Sequence, residues 1–377
     1  MVETGGKLLF AAKDVVGESL VWDEPMKRLA WVDIIGRRIH RLDPVTLAHE
    51  SWDMPDLVTS IGLRADGGAV VGLRKEVALW DFGGPLRTLA TIEPDLPGNR
   101  LNEGVVAPDG SFWVGTMMNN IGPDDGPRDI AGDAGRLYRI DAGGNVTRLS
   151  EDRFGITNTM AWTADGRFIT ADTLKNELYS YHWDSARSRL GDRRLFFGAF
   201  GRGFPDGSCL DAEGYVWNCR VAGGSCVARI APGGSLDRII ELPCSWPTSC
   251  AFGGQDLDTL FVTSARFTMT AEHLAANPGE GGLFALRPGV RGVPTNRFGN
   301  SRQQALERIS PGDGRERQTT NSIATKPTSD RPRLDRPPAH PHFRLHGLAW
   351  VQPSQPLAVM RIDRMRHRLE AEEAGVG

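Results

Sequence analysis

The sequence predicts an all-β fold, a six-bladed β-propeller with four-stranded antiparallel blades. Three observations lead there. One short unit recurs six times, its strands are separated by turn signals that leave no room for crossover helices, and a polar residue opens every copy at the same position.

The first copy opens with Glu18-Ser-Leu-Val-Trp22 and continues as LAWVDIIGRRIHRLDP. The second opens with Thr59-Ser-Ile-Gly-Leu63 and continues as RADGGAVVGLRKEVALWD. Asn102-Glu-Gly-Val-Val106 begins the third, followed by APDGSFWVGTM and later GRLYRIDAGG. Asn158-Thr-Met-Ala-Trp162 begins the fourth, with TADGRFITADTLKNELYSYHWD behind it. The fifth is Asp206-Gly-Ser-Cys-Leu210 with DAEGYVWNCRVAGGSCVARIAPGG, and the sixth is Thr248-Ser-Cys-Ala-Phe252 with GGQDLDTLFVTSA and later GGLFALRPG. Each copy has a short strand, a turn usually written D-G or E-G, a β-rich strand and a third strand such as RLYRID. The copies begin 41 to 56 residues apart, the size of one propeller blade. A single unit cannot bury both its faces, so the copies must stack, and a radial arrangement leaves only short edges. The strand from Lys7 to Ala12 precedes the first copy and is placed to complete the last blade. A pair of β-sandwiches fits less well, because it gives six segments no reason to share an opening motif.

In a propeller the innermost strands run along a central channel, so equivalent positions form a ring at one mouth. That ring is Glu18, Thr59, Asn102, Asn158, Asp206 and Thr248. Each carries a side-chain oxygen, and none is lysine, histidine or cysteine. Asp206 is ambiguous in isolation, since Pro205-Asp206-Gly207 reads as an ordinary β-turn; the repeat places it in the ring. Two carboxylates and two carboxamides facing a narrow channel need a partner, and oxygen-only donors suit a hard divalent cation. The expectation is therefore a central metal site. Arg100, two residues before Asn102, adds a planar fork of donors near the same mouth.

Composition limits the alternatives. A net charge of −3 and a sequence pI near 6.3 give no basic field for nucleic acid. No apolar run reaches membrane-helix length, and no secretory signal opens the chain, so a cytoplasmic protein is expected. The five cysteines fall between Cys209 and Cys250 without a CxxC pair, which reads as reduced core thiols. There is no G-x-S-x-G elbow, no H-E-x-x-H pair and no P-loop, and four of the eight histidines lie beyond residue 339.

The stretches GESLVWD, NRLNEGVVAPDGSFWVGTM, GITNTMAW and FPDGSCLDAEGYVW together resemble the gluconolactonase, regucalcin and senescence-marker protein superfamily, over about residue 8 to Phe298. The resemblance implies a six-bladed propeller that hydrolyses a sugar (aldono-) lactone with one divalent ion, whether Ca, Mg, Mn, Zn or Fe. It implies Glu18, Asn158 and Asp206 as metal ligands, Asp206 also as catalytic general base, and Arg100, Asn102, Glu103 and Asn120 as substrate contacts. Glu103 stands where the family often has aspartate, and Asn120 where some relatives have a substrate-binding glutamate. WNCRVAGG and SWPTSCAFGG look closer to bacterial sugar-acid lactonases than to animal regucalcins. A calcium-binding regulatory propeller without turnover, and a metal-dependent esterase or organophosphate hydrolase, are the alternative functions. The propeller is expected over residues 1–299. The Arg/Pro-rich extension over 300–377 reads as disordered.

Overall fold

The computed structural model describes residues 2–299. Six sheets form the blades, and four of them take their strands consecutively from the chain. The innermost strands are Gly17–Asp23, Val58–Leu63, Asn99–Val106, Thr157–Trp162, Phe204–Leu210 and Pro247–Gly253. Each contains its copy of the recurring unit. The second strands, such as Phe112–Met118 and Val216–Val221, alternate or run apolar because both faces of a blade meet neighbouring blades.

The hydrophobic core lies between the blades. Ala30, Val32 and Ile39 of the first blade pack with Ile61, Val71 and Ala78 of the second. Trp113 of the third packs with Phe168 and Tyr179 of the fourth, and Trp217 and Cys219 of the fifth with Phe252 and Leu260 of the sixth. Two of the buried indoles keep a hydrogen-bond partner to a buried acid, which offsets the cost of taking the N–H from water. Trp31 Nε1 donates to Asp14 Oδ2 at 2.7 Å and Trp217 Nε1 to Asp211 Oδ2 at 2.8 Å. All five thiols are free, with Cys209 part-buried and the others buried.

The sixth blade is completed by the start of the chain. Lys7–Phe10 runs antiparallel to Leu283–Leu286, pairing Lys7 with Ala285 and Leu8 with Phe284, as the sequence led us to expect. A second N-terminal strand is not foreseen by the repeat: Val2–Thr4 pairs parallel with Leu236–Glu241, so the fifth sheet has five strands. The 300–377 extension lies outside the described residues. No described helix is long and apolar enough to cross a membrane.

Deleting residues 1–10 leaves Leu283–Leu286 as an open edge and removes the strand pairing that joins the start of the domain to its last blade. The expected result is a melting temperature lower by roughly 10 °C or more, with edge-to-edge association in size-exclusion chromatography. An unchanged melting curve would show that closure contributes nothing.

Candidate active site

At the ring position every innermost strand loses register with its neighbour. The shifts fall between Glu18 and Val21, Val58 and Ser60, Leu101 and Gly104, Asn158 and Met160, Pro205 and Ser208, and Pro247 and Cys250. A bulge breaks strict alternation and re-aims the side chain it carries. Two bulges put a non-glycine residue in the left-handed region, Ser19 and Thr159, each with φ 53°. Pro205-Asp206-Gly207 is therefore not a turn, because it lies inside the strand Phe204–Leu210. Gly207 is required by packing: a Cβ there would stand 2.9 Å from both Ser249 Cα and Thr248 O on the next inner strand.

Four ring residues carry the polar character of the mouth. Glu18, Asn102, Asn158 and Asp206 are all buried, at 5 to 9% exposure. The two threonines instead spend their hydroxyls on the scaffold, Thr59 donating to Gly72 O and Thr248 to Gly17 O.

A continuous hydrogen-bond chain fixes which way the amides face. Thr173 Oγ1 donates to Pro205 O at 2.8 Å, so it accepts from Asn158 Nδ2 at 2.8 Å. That leaves Asn158 Oδ1 to accept from Asn102 Nδ2 at 3.1 Å, while the same amide also donates to Thr157 O at 2.8 Å. Asn102 Oδ1 accepts from Arg100 Nη1 at 2.8 Å. Arg100 further donates to Leu101 O, and through Nε and Nη2 to Asn120 Oδ1 at 3.3 and 2.9 Å. Of its five N–H groups one on Nη2 has no partner among the described residues. Arg100, Asn102, Asn120 and Asn158 are thus brought together, with Asn120 half-buried at the outer end.

The carboxyl groups meet from the opposite side. Glu18 and Asp206 are close enough for each to act on the other's ionisation. Burial first, and then the charge of Asp206, raises Glu18 well above the ordinary glutamate range. Burial and the charge of Glu103 raise Asp206, against which the neighbouring Glu18 acts to lower it. Both carboxyls are therefore held above the usual carboxylate range, chiefly by burial. Burial also lowers the Arg100 guanidinium to about 10, with Glu18 opposing the shift.

Glu103 sits one step past the ring. It lines a cavity of about 170 Å³ toward the other end of the inner strands, with Ser19, Ser208, Ser249 and Cys209, roofed by residues 293–296. Burial and the nearby Glu18 raise its carboxyl to about 8. Among the described residues no three His, Cys, Asp or Glu side chains gather as a metal cluster, so the ring offers two carboxylates supplemented by amide oxygen.

Several supporting residues escaped the sequence. Thr173 orients Asn158 from the turn after the second strand of blade four. Asn218 cradles the Asp206 carbonyl with Nδ2 at 3.1 Å and also reaches Ser208 Oγ and Thr159 Oγ1. Both arise outside the repeated opening motif. For Asn218 the one signal is a polar residue inside the apolar strand VWNCRV; for Thr173 there is none beyond its place just after RFITAD.

Comparison with known proteins agrees with this architecture. Residues 16–266 match the model of the SMP-30/Gluconolactonase/LRE-like region. A 6-deoxy-6-sulfogluconolactonase of Pseudomonas putida is 36% identical over 290 residues, covering 76% of this chain and 96% of that protein. A pentonolactonase of Haloferax volcanii is 36% identical over 252 residues, covering 66% and 81%. Among solved structures, a calcium-binding regucalcin from Agrobacterium tumefaciens superposes with a TM-score of 0.72 at 29% identity, covering 79% of this chain and 99% of that one. With a family match over more than half its length and relatives above 30% identity, the chain belongs to the SMP-30/gluconolactonase/LRE-like family.

Proposed function

We propose that the protein hydrolyses a sugar (aldono-) lactone to its aldonic acid at this ring, with one divalent cation as cofactor, in bacterial-type sugar catabolism in the cytoplasm. The reading is carried by one observation: two buried acids, Glu18 and Asp206, lie close enough to act on each other's ionisation, beside carboxamide oxygens fixed by hydrogen bonds. A divalent cation suits that arrangement, because it favours the ionised carboxyls and relieves their repulsion. Its ligands are Glu18, Asn158 and Asp206, all oxygen donors, with Asn158 Oδ1 held toward the ring by Thr173. The relatives named as lactonases support the substrate class.

When bound, such an ion polarises a carbonyl oxygen and acidifies a bound water. The chain's own residues supply the rest. Asp206, as carboxylate, takes a proton from the attacking water while the water oxygen bonds to the lactone carbon. The ester C–O bond then breaks and the ring oxygen receives that proton as a hydroxyl. Arg100 offers its remaining Nη2 N–H to substrate oxygen at the mouth. Asn102 has both Nδ2 protons engaged, so its substrate contact uses the second lone pair of Oδ1. Asn120 borders the site at the far side of Arg100. Glu103 meets the substrate from the side of the deeper cavity that it lines.

A second reading, calcium binding without turnover, is favoured by the likeness to the calcium-binding regucalcin of Agrobacterium. A panel of aldonolactones, followed with a pH indicator before and after chelation and after return of Ca, Mg, Mn, Zn or Fe, separates the two. Chelation is expected to abolish turnover and a divalent ion to restore it. Asp206→Asn keeps the melting temperature and loses at least a hundredfold in kcat; near wild-type rates would remove Asp206 from its role.

The ion-free protein carries a pH signature. Glu103 is raised from about 4.5 to about 8, and Glu18 and Asp206 are also raised. Between those limits the folded state holds protons that the unfolded chain releases, so stability falls as pH rises. Chelated protein should unfold at lower urea concentration at pH 8 than at pH 6, and Glu103→Gln should flatten that slope. Equal midpoints at both pH values would contradict it.

A further inference from the structure

Arg220 is fully buried, at 0% exposure, and makes no ion pair among the described residues. Its guanidinium is satisfied by neutral acceptors. Nε donates to Arg202 O at 3.0 Å, Nη1 to Asn218 Oδ1 at 3.1 Å, and Nη2 to Gly203 O at 2.9 Å and to Asn176 Oδ1. The Phe200 ring lies 5.0 Å from its centre. A buried charge without a touching counter-ion is costly, and an apolar side chain of the same volume would fill the space without that cost. The placement of its acceptors gives a reason for its presence.

Every acceptor sits on a support of the ring. The carbonyls of Arg202 and Gly203 immediately precede Phe204–Leu210, the strand that carries Asp206. Asn218, held through Oδ1, turns its amide nitrogen to Asp206 O, Ser208 Oγ and Thr159 Oγ1. Asn176 closes the turn Thr173–Lys175 in the left-handed conformation, φ 55°, and also donates to Phe200 O. Thr173 of that turn orients Asn158 and bonds Pro205 O. One planar fork therefore spans the two blades that present Asp206 and Asn158. Among the described carboxylates, Asp206 is the one whose charge acts on Arg220.

We propose that Arg220 is a positioning residue that couples blades four and five, setting Asp206 and Asn158 at the separation at which they act together. This rests on the reading that those two residues share one ion. Lysine at 220 keeps the charge but replaces a planar fork with a single point of donation, so it cannot hold Asn176, Asn218 and the 202–203 carbonyls at once.

The test uses the full chain, stripped of metal by chelation and titrated calorimetrically with Ca²⁺ and Mn²⁺. Arg220→Lys is expected to weaken ion binding at least tenfold and to lower kcat on the best aldonolactone ten- to a hundredfold. The melting temperature falls, because buried acceptors lose their donor, but below that transition KM stays near wild type, a split that loss of stability alone does not produce. Ion affinity and kcat both within twofold of wild type would overturn the proposal. Should the lysine variant fail to fold, Asn176→Gly, which tolerates the left-handed φ and removes only one acceptor of the fork, carries the same expectation for ion affinity. Unchanged affinity there would likewise overturn it. A wild-type chain that binds the ions but hydrolyses no lactone sinks the proposed activity and leaves the calorimetric arm to decide the role of Arg220.

Discussion

The bulge in each innermost strand is the constraint on which the mouth of the channel depends. A regular strand would send alternate side chains into the blade and toward its neighbour, and none would converge on the axis. By slipping register at one step in all six blades, the fold sets six polar side chains at equivalent positions, four of which carry the polar character of the mouth. The cost appears locally, as left-handed backbone at Ser19 and Thr159 and as a glycine at 207 where no Cβ fits. Those features lie where the inner strands of adjacent blades approach each other, and the apolar packing between blades proceeds farther along the strands.

Polar groups at the ring are organised from two sides. From blade three, Arg100 starts a polarised chain that runs through Asn102, Asn158 and Thr173 to the backbone beside Asp206. From blade five, Arg220 reaches the same backbone through Asn218. Three acids, Glu18, Glu103 and Asp206, share this buried region with the two guanidinium groups, and all five groups are shifted by burial in the direction that disfavours charge. Low dielectric strengthens each contact here, so small displacements of a supporting residue have large electrostatic consequences.

Much of this is legible in the sequence because repetition supplies a register. Glu18, Asn102, Asn158 and Asp206 emerge from aligning six openings, where each residue alone is ambiguous. The closing role of the first strand follows from its place ahead of the first copy, where it has no blade of its own to join. What stays hidden depends on contacts between blades. Nothing in RFITAD or in the TLK turn after it announces that Thr173 will face Pro205, and nothing in WNCR distinguishes Arg220 from a surface cation. Glu103 follows Asn102 directly, yet one residue at a bulge is enough to send it to the other side of the ring. The parallel strand Val2–Thr4 is invisible for a simpler reason, since three residues carry no periodicity.

Closure of the propeller by its opening segment also has a temporal meaning. Lys7 pairs with Ala285, so the strand Lys7–Phe10 waits, unpaired on that side, until nearly all of the blades have been synthesised. Blades one to five can assemble their consecutive strands from local hairpins as they emerge, but the ring locks through contacts spanning most of the domain. Such long-range pairing is slow to find, and until it forms the nascent arc has two ends open to self-association. On a ribosome the last blade is thus the one that decides when the channel, and the charged mouth at its end, comes into being.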